Sequence, residues 1–259
     1  MALAHSPKII TDNLALLIDF GNIKSYSGSG TNVNDLVGTN NFTLANPSYY
    51  SYDGTSMSLD IDRTNYPTAE TGGHLDSTTS GSLTALNYLH NDHTTEIWFK
   101  ADDRDPYDPS NTSGQSETQS ALVVYRGFHS GWYFSTSAYA YTIWGFDGTS
   151  NQVDTWSFSD TEEGVWTQLV AVRNGSNIKL YKNGIEKLTD TINSSLLAAN
   201  VSTPSTNDLR VGTAHGNDGA SDFNWFSDIT FSNLRMYKKA LTVQEIQQNF
   251  NALRGRFGI

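Results

Sequence analysis

Two neighbouring runs, Trp166-Thr-Gln-Leu-Val-Ala-Val-Arg173 and Ile178-Lys-Leu-Tyr-Lys-Asn-Gly-Ile-Glu-Lys-Leu188, decide the fold class. The first run is rich in β-forming apolar residues and predicts a buried strand. The second consists of two short segments on either side of Asn183-Gly184. Asn-Gly in that position is typical of a type I′ turn, because both turn residues need a positive φ angle. We therefore predict a strand followed by a tight β-hairpin.

Further strand patterns lie on both sides of this hairpin. They cover residues 14–20, 56–61, 95–100, 121–126, 131–135, 139–146, 208–213 and 229–237. Many short strands at hairpin spacing are typical of sandwiches and barrels. The sequence thus predicts an all-β, two-sheet antiparallel sandwich.

One helix is predicted, close to the C-terminal end of the sequence. Thr242 and Glu245 have the spacing of a capping box, and Ile246, Phe250 and Leu253 share one apolar face. Gly255 follows that face and is the expected end of the helix. No linker or tandem repeat interrupts the sequence, so we predict a single domain over 1–259. Within it, 1–13 form an N-terminal arm and 242–259 form the helix and a tail.

Composition restricts the function. The 259 residues contain 29 Ser, 28 Thr and 23 Asn, but only 17% charged residues, with a net charge of −11. An acidic protein is a poor ligand for nucleic acid or for an anionic membrane surface. The absence of cysteine excludes disulfides and thiol catalysis. No apolar run is long enough to insert into a membrane, and no secretory signal is recognised, so we expect assembly in a cytoplasm.

The strand and hairpin motifs resemble those of the concanavalin A-like, laminin-G-like jelly roll. Trp166–Arg173, Ile178–Gly184 and Leu209-Arg-Val-Gly212 match its successive central strands, in the right order and at the right spacing. Leu234-Arg-Met-Tyr-Lys-Lys-Ala-Leu241 followed by Thr242-Val-Gln-Glu-Ile246 is similar to its closing strand and helix. The resemblance implies a jelly-roll sandwich with a short C-terminal helix.

Both ends of the chain carry a narrower resemblance. Pro7–Leu14, Ile18–Asn22, Lys24–Tyr26 and Gly28–Thr31, together with Gln248–Ile259, look like the opening and the ending of laminin-G-like virion proteins of marine tailed phages. This resemblance implies a structural protein of the virion surface, such as a capsid decoration or a tail or fibre component, with no catalytic activity.

The sequence carries no recognised motif for catalysis or metal binding, and composition alone leaves a Ser-His-Asp triad open. Glycoside hydrolysis needs two facing carboxyl groups, whereas the strand at 95–100 offers Glu96 alone. The six histidines are scattered, and we expect them on the surface. Laminin-G-like domains often bind calcium through loop carboxylates, for which Asp19, Asp53, the loop 102–108, Asp218 and Asp222 are candidates. Departures from the family pattern at Ile229, Ser232 and Asn233 weaken that expectation, and we predict no cofactor or metal.

A glycan site is the sharper expectation, because aromatic faces together with short polar side chains bind sugars. The candidates are Tyr133, Tyr139, Tyr141 and Trp144. Alternation places Tyr139 and Tyr141 on one face, where at least partial burial in the sandwich is the alternative.

The tail after Gly255 is a candidate for assembly contacts. The candidates are Arg256, Phe257 and Ile259. The apolar side chains of Phe257 and Ile259 are unfavourable in water and should be buried against protein. They either fold back onto their own domain or insert into a neighbouring subunit or a viral shell, with Arg256 pairing an acidic patch.

These observations predict a non-enzymatic virion protein, exposed on the particle surface and assembled through other virion proteins or self-association. Host-surface glycans are candidate ligands. The alternatives are a free-standing carbohydrate-binding module and, less favoured, a glycan-degrading enzyme.

Overall fold

The computed structural model describes residues 7–62, 71–78, 91–101, 120–125, 130–136, 141–147, 152–160, 162–193, 209–215, 224–226 and 229–259. Within these ranges the strands are, in chain order, β1 Leu14–Asp19, β2 Asn32–Val33, β3 Phe42–Ala45, β4 Tyr50–Tyr52, β5 Met57–Leu59, β6 Ile61–Asp62, β7 Thr71–Gly72, β8 His74–Ser77, β9 His93–Ala101, β10 Ser120–Tyr125, β11 Ser130–Thr136, β12 Tyr141–Asp147, β13 Gln152–Phe158, β14 Thr167–Asn174, β15 Asn177–Lys182, β16 Ile185–Thr191, β17 Leu209–Val211, β18 Thr213–His215, β19 Asn224–Phe226 and β20 Ile229–Tyr237. The helix α1 spans Val243–Phe257, and a 3-10 turn spans Pro47–Tyr49.

Most strands belong to two antiparallel sheets. Sheet A has the order β16-β15-β14-β9-β20-β5-β4, and β1 also pairs with β20. Sheet B has the order β13-β12-β11-β10-β17-β8-β3-β2. Two small separate ladders join β6 to β7 and β18 to β19. Hairpins of consecutive strands are joined by strands from distant parts of the sequence, such as β9 beside β20 and β17 beside β10. The predicted jelly-roll sandwich with one C-terminal helix is confirmed.

The apolar core lies between the two sheets. Sheet A contributes alternate residues such as Ile97, Phe99 and Leu169, and sheet B contributes Leu75 and Val211. All five are at most 1% exposed. Because side chains alternate across a strand, the residues between these positions point to the opposite face of each sheet.

The hairpin β15–β16 has the predicted turn. Asn183 and Gly184 adopt φ angles of 52° and 75°, which confirms the positive φ expected of both turn residues. The Asn183 side chain extends the ladder toward β14, since its Oδ1 accepts a hydrogen bond from the Gln168 amide at 2.8 Å. The turn is therefore anchored to the neighbouring strand as well as to its own.

Helix α1 begins as predicted and ends later than predicted. The Thr242 hydroxyl accepts from the Glu245 amide, and the Glu245 carboxylate accepts from the Thr242 amide, so the capping box is formed. The expected end at Gly255 is wrong, because the helix continues to Phe257 and stops at Gly258, where φ is 72°. The additional turn brings the Phe257 ring onto Trp98.

The helix lies on the outer face of sheet A. Ile246 of the helix packs into a second apolar cluster with Val170, Val172, Tyr181 and Tyr237 from the sheet. Sheet A is thus buried on both faces over this region. In the part of the chain that the structure describes, no helix has the length and apolar character needed to cross a membrane.

Candidate functional site

The described aromatic candidates for glycan binding lie on two neighbouring strands of sheet B. Tyr133 of β11 pairs with Trp144 of β12, and Trp144 pairs with Thr155 of β13. Directly paired residues of an antiparallel ladder share a face, so these three positions form one cross-strand row. Thr155 is exposed, and it stands at the end of this row on β13.

Tyr141 belongs to the apolar core. It is 1% exposed, and its ring lies edge-on to Phe99 at 5.9 Å and near Phe158 at 5.4 Å. Its hydroxyl lies 3.4 Å from Thr167 Oγ1. A ring enclosed in this way has no face to offer a sugar, which corrects the placement of Tyr141 among the glycan candidates. Tyr139 lies outside the described residues.

Two carboxylates meet at the edge of the sandwich beyond β13. Asp160 Oδ1 and Glu162 Oε2 each lie 3.2 Å from Lys182 Nζ, and Lys187 Nζ lies 2.6 Å from Asp160 Oδ2. The hydrogen bond from Lys187 is the main cause that holds the pKa of Asp160 below its ordinary value. A glycosidase needs one carboxyl group with a raised pKa to act as the acid. Asp160 lacks that property.

A buried polar cluster lies beneath α1 on the outer face of sheet A. Glu96 Oε1 accepts hydrogen bonds from Arg235 Nη1 at 2.7 Å, Gln168 Nε2 at 2.9 Å and Trp98 Nε1 at 3.1 Å. Glu96 Oε2 accepts from Asn249 Nδ2 at 2.8 Å. Both charged side chains are 1% exposed. Because the carboxylate is fully occupied by protein donors and shielded from solvent, its role is structural.

Asn249 connects this cluster to the N-terminal arm. Its Oδ1 accepts from the Ile10 amide at 2.8 Å, and its Nδ2 also donates to Tyr237 Oη at 2.9 Å. The Tyr237 hydroxyl donates in turn to the Ile10 carbonyl. Burial is the main cause that raises the pKa of Tyr237, and the nearby charge of Glu96 adds to it. One buried amide therefore joins the arm, the closing strand and the helix.

The residues of the tail fold back onto their own sandwich. Arg256 Nη1 forms an ion pair with Asp19 Oδ1 at 2.6 Å, and its Nη2 donates to the Thr55 carbonyl. The Phe257 ring stacks on Trp98 with centroids 4.4 Å apart and lies 4.6 Å from Trp166. Of the two expected arrangements, the structure shows the intramolecular one for both residues. Ile259 remains 38% exposed, and contacts of the tail with an assembly stay a prediction.

The calcium candidates are engaged by protein groups where the structure describes them. Asp19 pairs with Arg256, and Asp53 accepts hydrogen bonds from the amides and hydroxyls of Thr55 and Ser56. Burial raises the pKa of Asp53, but these hydrogen bonds outweigh it and the pKa lies below its ordinary value. Across the described ranges, no three His, Asp or Glu side chains are grouped as metal ligands. Asp218, Asp222 and the loop 102–108 lie outside these ranges.

Sequence reasoning missed the polar cluster and one buried histidine. His93 is 3% exposed, against the expected surface position, and its Nδ1 lies 2.9 Å from the Asn91 carbonyl oxygen. In the sequence, Glu96 and Arg235 stand beside apolar residues, a pattern typical of strands whose polar side chains face solvent. The sequence did offer one signal, because Glu96 and Arg235 have opposite charges and each lies within a strongly apolar strand. The structure pairs these two residues directly.

Comparisons with known proteins agree with this geometry. The model of the Laminin_G_3 family, described as the concanavalin A-like lectin/glucanases superfamily, matches residues 69–247. No curated protein sequence matches the chain.

Solved structures with the same fold include the binding domains of several botulinum neurotoxins. The type C structure, from a toxin whose route into cells depends on interaction with two ganglioside molecules, is 13% identical with a TM-score of 0.62. The alignment covers 93% of this chain and 51% of that chain. The type G receptor-binding domain is 11% identical with a TM-score of 0.59, covering 92% and 51% of the two chains. The chain thus spans about half the length of these structures. The shared architecture extends beyond the family match, which itself covers most of the sequence, and the chain belongs to the concanavalin A-like lectin/glucanases superfamily.

Proposed function

We propose that this chain is a non-enzymatic structural protein of a virion, exposed on the particle surface as a capsid decoration or as a tail or fibre component. The observation that carries the proposal is the contact between the two stretches that resemble phage virion proteins. Gln248 donates to the Lys8 carbonyl, Asn249 accepts from Ile10, and Arg256 pairs with Asp19. The two stretches therefore form one structural unit rather than two unrelated ends.

The non-enzymatic part of the proposal is supported by the state of the described carboxylates. Glu96 is enclosed by four donors, and Asp160 and Glu162 are neutralised by Lys182. General acid catalysis requires a carboxyl group that keeps its proton near neutral pH and can reach the substrate. Glu96 is shielded from any substrate beneath α1, and the pKa of Asp160 is lowered rather than raised. No cofactor is part of the proposal.

Glycan recognition is the ligand-binding part of the proposal. Related folds bind carbohydrate, since the type C toxin depends on two gangliosides and the binding domain of the D/C toxin was solved in complex with SialylT. In this chain the paired positions Tyr133, Trp144 and Thr155 bring two aromatic residues and a hydroxyl-bearing residue together on adjacent strands of sheet B. That composition suits stacking on a sugar ring, with hydrogen bonds at its rim.

Two measurements test the two parts separately. Mass spectrometry and immunogold labelling of purified particles from infected cells should find the protein at stoichiometric copy number on the surface. Its absence from particles would overturn the virion role. Screening of the purified protein on a glycan array should identify bound sugars.

Trp144→Ala and Tyr133→Ala should then abolish the array signal. Tyr133→Phe, which keeps the ring and removes only the hydroxyl, should retain most of it. Sugar binding that survives both alanine substitutions would exclude the row as the site. An absence of any array signal would leave a structural protein without a lectin function and would remove the ligand-binding part.

A further inference from the structure

The terminal segments differ in charge from the rest of the molecule. Residues 7–24 and 234–259 contain seven Lys or Arg and three Asp or Glu, whereas the remaining sequence contains nine Lys or Arg and 24 Asp or Glu. The net charges are therefore +4 and −15. A chain that is strongly acidic overall thus has its positive charge concentrated in the structural unit formed by its two ends.

Part of this positive charge is used inside the molecule. Arg235 pairs with Glu96 in the buried cluster, Arg256 pairs with Asp19, and Lys239 bridges Asp12 and Glu245. These contacts hold the terminal unit together and contribute little to the outer surface.

The exposed cations follow the length of α1. Lys238 precedes the helix, Lys8 lies beside its middle through the contact with Gln248, and Arg254 is exposed in its last turns. Lys24 is exposed in the loop that follows Asp19, whose side chain pairs with Arg256 at the C-terminal end of the helix. At 1.5 Å per residue the fifteen-residue helix is about 22 Å long, so the cations border a face of that length.

The outward side of the helix carries no negative charge. Gln244, Gln247, Gln248 and Asn251 are exposed in a stripe that continues to Arg254. Glu245 is the only acidic residue of the helix, and it is turned toward the cap and Lys239. The stripe of amides bordered by cations, which we call the terminal face, can donate hydrogen bonds and attract carboxylates.

We propose that the terminal face binds the acidic surface of a second copy of this chain. The rest of the chain has a net charge of −15. Each copy therefore carries a positive face and an acidic surface that could bind it. Exposed carboxylates such as Glu163 and Asp190 belong to that remainder. The inference rests on the proposed function, since it names the surface and the partner through which the chain would assemble on a particle.

The test is sedimentation equilibrium of the purified protein, which needs no virus. At about 20 mM salt, where surface charges are weakly screened, the wild type should self-associate. At about 0.5 M salt the association constant should fall by about tenfold or more. The variant Lys8→Gln, Lys24→Gln, Arg254→Gln should show a similar loss at low salt.

A matched control carries the same change in net charge elsewhere. Ser176→Asp, Asn177→Asp and Thr191→Asp lie at the far end of the β15–β16 hairpin from its turn, and all three residues are exposed. This control should associate like the wild type. A wild type that stays monomeric at low salt, or equal losses in both triple variants, would overturn the proposal.

Binding to DNA or to anionic vesicles in place of self-association would overturn it as well. The virion role is tested by particle composition and glycan recognition by the array. A failure of self-association can therefore be distinguished from a failure of either part of the proposed function.

Discussion

The two faces of sheet A are both buried, but by different chemistry. Toward sheet B, β9 presents Ile97 and Phe99 to an apolar core. Toward α1, the same strand presents Glu96 and Trp98 to a network of hydrogen bonds around an ion pair. Adjacent residues of one strand therefore depend on opposite kinds of partner.

The two faces of sheet A should respond differently to substitutions. A substitution in an apolar core removes the contacts of one side chain, and the neighbouring apolar groups have no hydrogen bonds to lose. A buried ion pair stabilises little when intact, but removal of one partner leaves an uncompensated charge away from water. The helix-covered face should therefore be the more sensitive to single substitutions and the more tolerant of paired ones.

The largest expected effect is that of Glu96→Ala. The substitution leaves the Arg235 guanidinium buried without its carboxylate, so the free energy of unfolding should fall by about 3–5 kcal/mol. Urea denaturation at neutral pH measures this loss. Glu186→Gln is the control, since it removes the surface ion pair with Lys179, keeps an acceptor for the Tyr181 hydroxyl, and should cost at most about 1 kcal/mol. Equal effects of the two substitutions would contradict the contrast between buried and exposed pairs.

Gly184→Val tests the contact between the hairpin turn and the helix. Gly184 has a positive φ angle, and a Cβ there would lie 3.3 Å from the Phe250 Cβ. Gly175 in the β14–β15 turn also has a positive φ angle, but a Cβ there would meet no atom within 4 Å. Backbone strain of about 1–2 kcal/mol is expected at both positions.

The helix contact should add roughly 1 kcal/mol at Gly184 alone. Thermal unfolding of both valine variants measures the difference. If Gly184→Val and Gly175→Val melt together, the turn does not depend on the helix.

Asn249→Ala should separate the two faces. The substitution removes hydrogen bonds to Glu96, Tyr237 and Ile10, which should cost about 1–3 kcal/mol. Amide hydrogen exchange should accelerate in α1 and in the arm, while Ile97 and other core amides of sheet A stay protected. Asn251→Ala on the exposed side of the helix should change stability by less than about 0.5 kcal/mol. Uniform acceleration throughout sheet A would show that the faces unfold together.

The smallest effect concerns the helix cap and pH. Burial raises the pKa of Glu245, but hydrogen bonds from Lys239 and the Thr242 amide outweigh it and hold the pKa below its ordinary value of 4.5. A group with a lowered folded-state pKa stabilises the fold above its unfolded pKa, and this contribution is lost as the pH falls through the lowered value. Glu245→Gln should therefore cost about 0.5–1 kcal/mol at pH 7 and almost nothing at pH 2. Melting temperatures of both proteins at the two pH values would show it, and an equal gap at each would refute it.

Local sequence signals predicted the elements that depend on local interactions. The Asn183-Gly184 turn follows from the need for positive φ, and the helix start follows from Thr242 and Glu245. Local signals did not predict that the helix ends at Gly258, because the last residues of the helix include Phe257. Its ring contacts Trp98, which is far away in sequence. Strand β13, Gln152–Phe158, was missed because polar residues on its exposed face leave a weak apolar pattern.

The candidate site was less predictable than the fold. Alternation correctly indicated that Tyr141 is buried, whereas the pairing of Trp144 with Tyr133 follows only from the strand register. The polar cluster escaped prediction for a related reason. A charged residue on an alternating strand usually faces water, and here a helix from the other end of the chain covers it.

The pairing of β1 with β20 has a consequence for how the protein is made. Leu14 lies opposite Tyr237, and Ile10 is bonded to Asn249 across a separation of 239 residues. A nascent chain that leaves the ribosome therefore exposes the apolar strand β1 long before its neighbour exists. Folds dominated by such distant pairings form slowly, and their early intermediates expose unpaired strand edges. The sandwich can close only after β20 has been translated. Until then, a chaperone or a neighbouring nascent chain can bind β1 in place of β20.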